Sequence, residues 1–173
     1  MASSALVLLY TLCVLCYTYS LQTLAMASSQ SCRGLHLQYY THEIRGGPNN
    51  TILLAAGTNQ GGSFSDGRWG SFFVFDNMIK AGLSADSKLL GKITGTTVLT
   101  VKAGGPVQFL AQHIFGEGSK YNGSSFTTIP GGIIPGGTGY FEGYSGYGQG
   151  VEQTVVPAEP RHVYLWDVCL SKY

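Results

Sequence analysis

Glycine recurs so often along this chain that no stretch keeps a helix period. There are 25 glycines in 173 residues, and apolar residues are not repeated at three and four spacing for long. Alternating and β-branched runs separated by turn residues are frequent instead. Eight such runs stand out, at about 35–45, 51–57, 70–78, 89–101, 107–115, 124–129, 139–148 and 161–170. Between them, Gly46-Gly47-Pro48-Asn49, Gly104-Gly105-Pro106 and Tyr121-Asn122-Gly123 carry turn chemistry. Residues 59–67 read as a longer polar loop, and 81–87 as a loop or a single helical turn. Many short strands in one domain imply a sandwich or a closed barrel. Closure removes unpaired edges. It also leaves an interior about wide enough for side chains or one small ligand.

The glycine-rich run 131–150 would suggest a linker by composition alone. Its rings argue otherwise. In a regular strand over 139–148, Tyr140, Glu142 and Tyr144 would share one face. Two phenols and a carboxylate beside a glycine-rich bend make a candidate pocket wall.

Residues 1–27 read as a secretory leader. An apolar run spans 5–16, and Ala25-Met26-Ala27 is a small-x-small cleavage pattern. The alternative is a membrane anchor, but the run is shorter than the roughly 20 residues a span needs. Residues 28–173 then form one domain. The net charge is +1 with 11% charged residues and no basic block, which argues against nucleic acid as a partner. Cys13 and Cys16 fall in the leader, leaving Cys32 and Cys169 near the two ends. In an oxidising compartment these are expected to pair. Asn49-Asn50-Thr51 and Asn122-Gly123-Ser124 are glycosylation sequons in turn-like contexts. The histidines do not form a metal-binding or catalytic set, and no nucleophile elbow or phosphate loop is present.

An ordered set of segments resembles the plant dirigent proteins. Tyr39-Tyr40-Thr41-His42-Glu43-Ile44 is similar to their first strand. Gly70-Ser71-Phe72-Phe73-Val74-Phe75-Asp76 and Ser87-Lys88-Leu89-Leu90-Gly91-Lys92-Ile93-Thr94-Gly95 resemble two later ones. Tyr121-Asn122-Gly123-Ser124 and Gly136-Gly137-Thr138-Gly139 match their turns, and the cysteine pair sits where that family has an end-to-end disulfide. Gly136 to Gly143 with Tyr147-Gly148-Gln149 also resembles the allene oxide cyclases, which share the barrel.

The resemblance implies an all-β fold, an eight-stranded antiparallel barrel of the allene oxide cyclase-like type, secreted to the apoplast as a homotrimer. Its substrates would be small phenolic radicals made by a separate oxidase, a laccase or peroxidase, with no cofactor of its own. The protein would direct regio- and stereoselective coupling of those radicals, as in lignan biosynthesis. The alternatives are a barrel cyclase or isomerase acting on a reactive intermediate, and a binding protein of the cell wall or of defence. Glu43 falls where dirigents carry an acidic pocket residue, and as a buried acid it would serve as proton donor. Glu142 is the second candidate acid, with a structural hydrogen-bonding role as the alternative. Tyr39, Thr41, Thr97, Tyr140 and Tyr144 are expected to line the pocket. Tyr140, Ser145 and Thr97 or Leu99 depart from the residues of pinoresinol-forming dirigents, which points to a different product.

Overall fold

The computed structural model describes residues 32–57, 69–102, 107–153 and 160–173. The leader over 1–27, the Gly104-Gly105-Pro106 turn and the 59–67 loop lie outside the described residues.

Nine strands follow one another: β1 (Leu35–Ile44), β2 (Ile52–Ala56), β3 (Phe72–Lys80), β4 (Leu89–Val98), β5 (Gln108–Phe115), β6 (Ser125–Ile129), β7 (Ile133–Thr138), β8 (Tyr144–Glu152) and β9 (Arg161–Lys172). They form one antiparallel sheet in the order β1-β9-β8-β7-β6-β5-β4-β3-β2. A further β1–β3 pairing closes eight of them into a barrel. β2 is the additional strand. It meets β3 at Ile52↔Phe75, just beyond the β1 pairing that ends at His42↔Met78. β1 and β2 therefore share one edge of β3, interrupted by the turn 45–51. Thr51 bridges the interruption: its N–H donates to Ile44 O at 3.0 Å, and Ile44 N–H donates to Thr51 Oγ1 at 2.9 Å. Cys32 and Cys169 are joined in a disulfide, as the two remaining cysteines suggested.

Strand parity sets the interior. On β1, Leu37, Tyr39, Thr41 and Glu43 point inward. His42 has the opposite parity, yet it is buried beneath the 81–87 loop, where its Nε2 lies 2.9 Å from Gly82 O. The glycines that interrupt the sequence pattern make room for rings on neighbouring strands. A Cβ at Gly150 would stand 2.9 Å from the Trp166 indole on the paired strand. A Cβ at Gly95 would stand 2.8 Å from the Phe75 ring. Glycine inside these strands thus marks close approach of a large side chain.

The run 131–150 departs from the expected single strand over 139–148. Ile133–Thr138 is already a strand, Gly139–Phe141 is a 3-10 turn, and β8 begins only at Tyr144. Two features break the period. Pro135 falls just past the last β7–β8 pair, Ile134↔Gly146, so a strand survives around a proline. Gly139 takes φ +60, a left-handed conformation in which a regular strand cannot continue.

Candidate functional site

A cavity of about 310 Å³ opens inside one end of the barrel. That is the small end of the range for ligand pockets. Its polar wall comes from β1, β3 and β9 and from the turn after β1. Glu43, only 7% exposed, faces inward. Arg45 Nε donates to Glu43 Oε1 at 2.5 Å, and Asn77 Nδ2 donates to Glu43 Oε2 at 3.0 Å. The second guanidinium nitrogen of Arg45 donates to the Tyr164 hydroxyl. Thr51 Oγ1 donates to Asn77 Oδ1 at 2.6 Å, which orients the amide toward the carboxylate. Burial pushes the Tyr164 phenol up, and the neighbouring Glu43 charge adds to the shift while Arg45 opposes it. Tyr164 therefore keeps its proton at neutral pH.

This arrangement changes the expectation for Glu43. The sequence placed a lone carboxyl in an apolar barrel, where it would act as a protonated donor. The structure gives it a guanidinium and an amide, so both oxygens already accept hydrogen bonds. An acceptor of protons suits that geometry better than a donor.

The apolar wall is aromatic. Phe75 stacks on Phe109 at 5.3 Å between centroids with 6° between planes, and Phe109 tilts against Trp166 at 5.7 Å. Trp166 is held from below and from the side. Its Nε1 donates to Thr41 Oγ1 at 3.1 Å, and its ring meets His113 edge to face at 4.7 Å. Thr97 also lines the cavity, and its Oγ1 is buried with no hydrogen-bond partner among the described residues.

Of the residues singled out in the sequence, Glu43, Thr41 and Thr97 meet around this cavity. Tyr39 lies inside the barrel but away from it. Its hydroxyl lies 2.6 Å from His113 Nδ1, and it lines a smaller cavity of about 250 Å³ with Phe115, Lys120 and Tyr121. Tyr140, Glu142 and Tyr144 do not form the expected pocket wall. Tyr140 is half-exposed on the 3-10 turn and stacks on Tyr144 at 6.2 Å. Glu142 is exposed just after that turn, and Tyr144 packs beneath Lys172 at 5.7 Å. Their alternation assumed an unbroken strand, which Gly139 prevents. Asn49 and Asn122 are both exposed in turns.

Arg45, Asn77, Tyr164, Phe109 and Trp166 were not singled out from the sequence. Arg45 shares the parity of Thr41 and Glu43, a signal that could have found it. Asn77 and Tyr164 come to the site only through the β1–β3 and β1–β9 registers, which a single sequence does not display.

A closed antiparallel barrel with a ligand-sized cavity and a charged polar cluster at its mouth defines the class of protein. The family description "Dirigent-like protein" matches residues 35–170. The chain belongs to that family. Among curated relatives, "Pterocarpan synthase 1" from Glycyrrhiza echinata is 25% identical over 150 residues, covering 80% of this chain and 78% of that protein. The solved structure of the pterocarpan synthase dirigent protein GePTS1 superposes with a TM-score of 0.69 at 23% identity, covering 80% of this chain and 84% of that one. That of PsPTS1 gives 0.67 at 24% identity, covering 80% and 95%. These likenesses establish a shared barrel.

Proposed function

We propose that the barrel takes up a single reactive phenolic intermediate, made by a separate oxidase, and directs the stereochemistry of its ring closure. The observation that carries this reading is the Glu43–Arg45–Tyr164 cluster facing an aromatic wall inside the 310 Å³ cavity. A cavity of that size suits one small aromatic molecule better than two held together. Relatives named as pterocarpan synthases favour a synthase of this kind over radical coupling as in lignans.

The chemistry follows from the residues. A quinone methide has an electrophilic carbon conjugated to a carbonyl oxygen. When a hydroxyl of the same molecule attacks that carbon, a C–O bond forms and the π electrons move onto the carbonyl oxygen. Arg45 and Tyr164 supply donors where that negative charge collects. Glu43 accepts the proton lost by the attacking hydroxyl; it then releases that proton to solvent while solvent returns one to the phenolate, which restores the carboxylate. The ring lies against Phe75, Phe109 and Trp166, so only one face of the electrophile is open to attack. Orientation of this kind changes a product ratio tenfold for about 1.4 kcal/mol.

The test is chiral chromatography of the product when an oxidase generates a quinone methide that carries a pendant hydroxyl. One enantiomer in clear excess, returning to a racemate with Glu43→Gln, is expected. A racemate in the presence of folded wild-type protein overturns the proposal. Enantiomer-enriched dimers from a simple monolignol, with racemic ring closure, would favour radical coupling instead.

A further inference from the structure

We propose that Thr128 is a specificity-determining hydrogen-bond donor whose proton is aimed into the cavity by a Tyr39–His113 relay, so that the ligand carries an acceptor oxygen (a carbonyl, ether or methoxyl) at the end remote from Arg45. The proposal rests on the cavity being a phenol site.

His113 is fully buried on β5, between the core and the cavity. Its Nδ1 lies 2.6 Å from the Tyr39 hydroxyl and its Nε2 lies 3.0 Å from Thr128 Oγ1. Phe126 stacks on the ring at 4.6 Å and Trp166 meets it edge to face at 4.7 Å, so the imidazole is clamped. Burial depresses its pKa to about 3, so the ring is neutral, with one donor nitrogen and one acceptor nitrogen.

Tyr39 decides which is which. Burial pushes its phenol well up, so it keeps its proton. Among the described residues no other acceptor meets that proton, and an unmade hydrogen bond in the core is costly. Tyr39 O–H therefore donates to Nδ1, and the ring proton sits on Nε2. Nε2–H then donates to Thr128 Oγ1, which leaves the Thr128 hydroxyl proton without a partner among the described residues. Thr128 lines the cavity. The reverse polarity would leave the Tyr39 proton without an acceptor among the described residues.

Topology places this donor opposite the charged cluster. Around the barrel, β6 is four strands from β1 in either direction, through β9, β8 and β7 or through β3, β4 and β5. Glu43 and Arg45 thus hold one end of the ligand, and Thr128 meets the other across the aromatic wall. Trp166 and Thr97 stand between them, both lining the same space.

Two measurements test the inference. The first is nitrogen-15 NMR of protein labelled at histidine. The His113 pattern is expected to show a proton on Nε2 and a bare Nδ1 at neutral pH, and a proton on Nδ1 overturns the relay. The second is calorimetry with two probes of similar size, 4-hydroxybenzophenone and 4-benzylphenol, which differ by a carbonyl in place of a methylene. The ketone is expected to bind the wild type about tenfold more tightly, the effect of one good hydrogen bond. Thr128→Val should bring the two affinities together, and Thr128→Ser should keep them apart. Tyr39→Phe, which does not touch the cavity, should narrow the gap by releasing the His113 tautomer. Equal binding of the two probes by the wild type overturns the Thr128 assignment while leaving the phenol site intact. Binding of neither probe overturns the phenol site and this inference with it.

Discussion

The two ends of the barrel are built on opposite principles. At the far end, Phe115, Tyr121, Phe126 and Phe141 pack into one ring cluster, with centroids between 5.0 and 5.9 Å apart. Phe141 is fully buried at the centre of it. The cavity of about 250 Å³ bordering Phe115 and Tyr121 holds no acid, whereas the cavity of about 310 Å³ at the mouth is edged by Glu43, Arg45, Asn77 and Tyr164. Aromatic packing stabilises by removing apolar area from water. A buried ion pair contributes little net stability, because desolvation offsets the Coulomb gain. The far end holds the fold, and the mouth places charge where a ligand can use it.

That division predicts that damage at the far end shows in stability and damage at the mouth shows in function. The largest effect is expected from Phe141→Ala. It should cost about 3–5 kcal/mol in denaturant unfolding, with the enantiomer ratio of the folded fraction unchanged. Opening the Cys32–Cys169 disulfide with a Cys169→Ser change should cost on the order of 4 kcal/mol, given the long loop it closes. A loss of product selectivity larger than the loss of folded protein would break the division for either variant. Glu43→Gln should act the other way. Ring-closure rate should fall about 100-fold, the low end for a lost proton acceptor, and selectivity should be lost even in the fully folded protein, while stability falls by about 3–5 kcal/mol because the buried Arg45 charge loses its partner.

His113 lies between the two ends and gives a pH signature. Its folded-state pKa of about 3 lies below the unfolded value of about 6.5. The unfolded chain therefore binds a proton that the folded chain refuses. The associated stability is fully present above pH 6.5 and is lost as the pH falls toward 3, at up to about 1.4 kcal/mol per pH unit. Unfolding free energies measured across that window should fall less steeply for His113→Asn than for the wild type. Equal slopes would remove His113 from the core network. The smallest effect belongs to Tyr140→Ala. Half-exposed on its turn, it should change stability by no more than about 1 kcal/mol and leave selectivity untouched.

Much of this architecture was legible in the residues. Alternation and turn chemistry yield the strands, and parity puts Glu43 and His42 on opposite faces, while the inward direction of Glu43 followed only from the resemblance to the dirigent proteins. Other features depend on pairing between distant segments. The Asn77 amide reaches Glu43 because β1 and β3 close the barrel, and Tyr164 reaches Arg45 because β9 lies beside β1. Periodicity misled at residues 139–148. Tyr140, Glu142 and Tyr144 alternate on paper, but the 3-10 turn at Gly139–Phe141 puts Tyr140 and Glu142 on the far surface. The histidines form no set in the sequence, and only the two hydrogen bonds of His113 show that it links Tyr39 to Thr128.

The central claim is that the mouth cavity, and not the ring cluster at the far end, receives the phenol. A crystal structure with 4-hydroxybenzophenone bound tests it most directly. The phenolic oxygen should lie within hydrogen-bonding distance of Arg45 and Tyr164, with a ring against Phe109 and Trp166. A ligand seated against Tyr140 and Tyr144, with the mouth cavity unoccupied, would contradict the account.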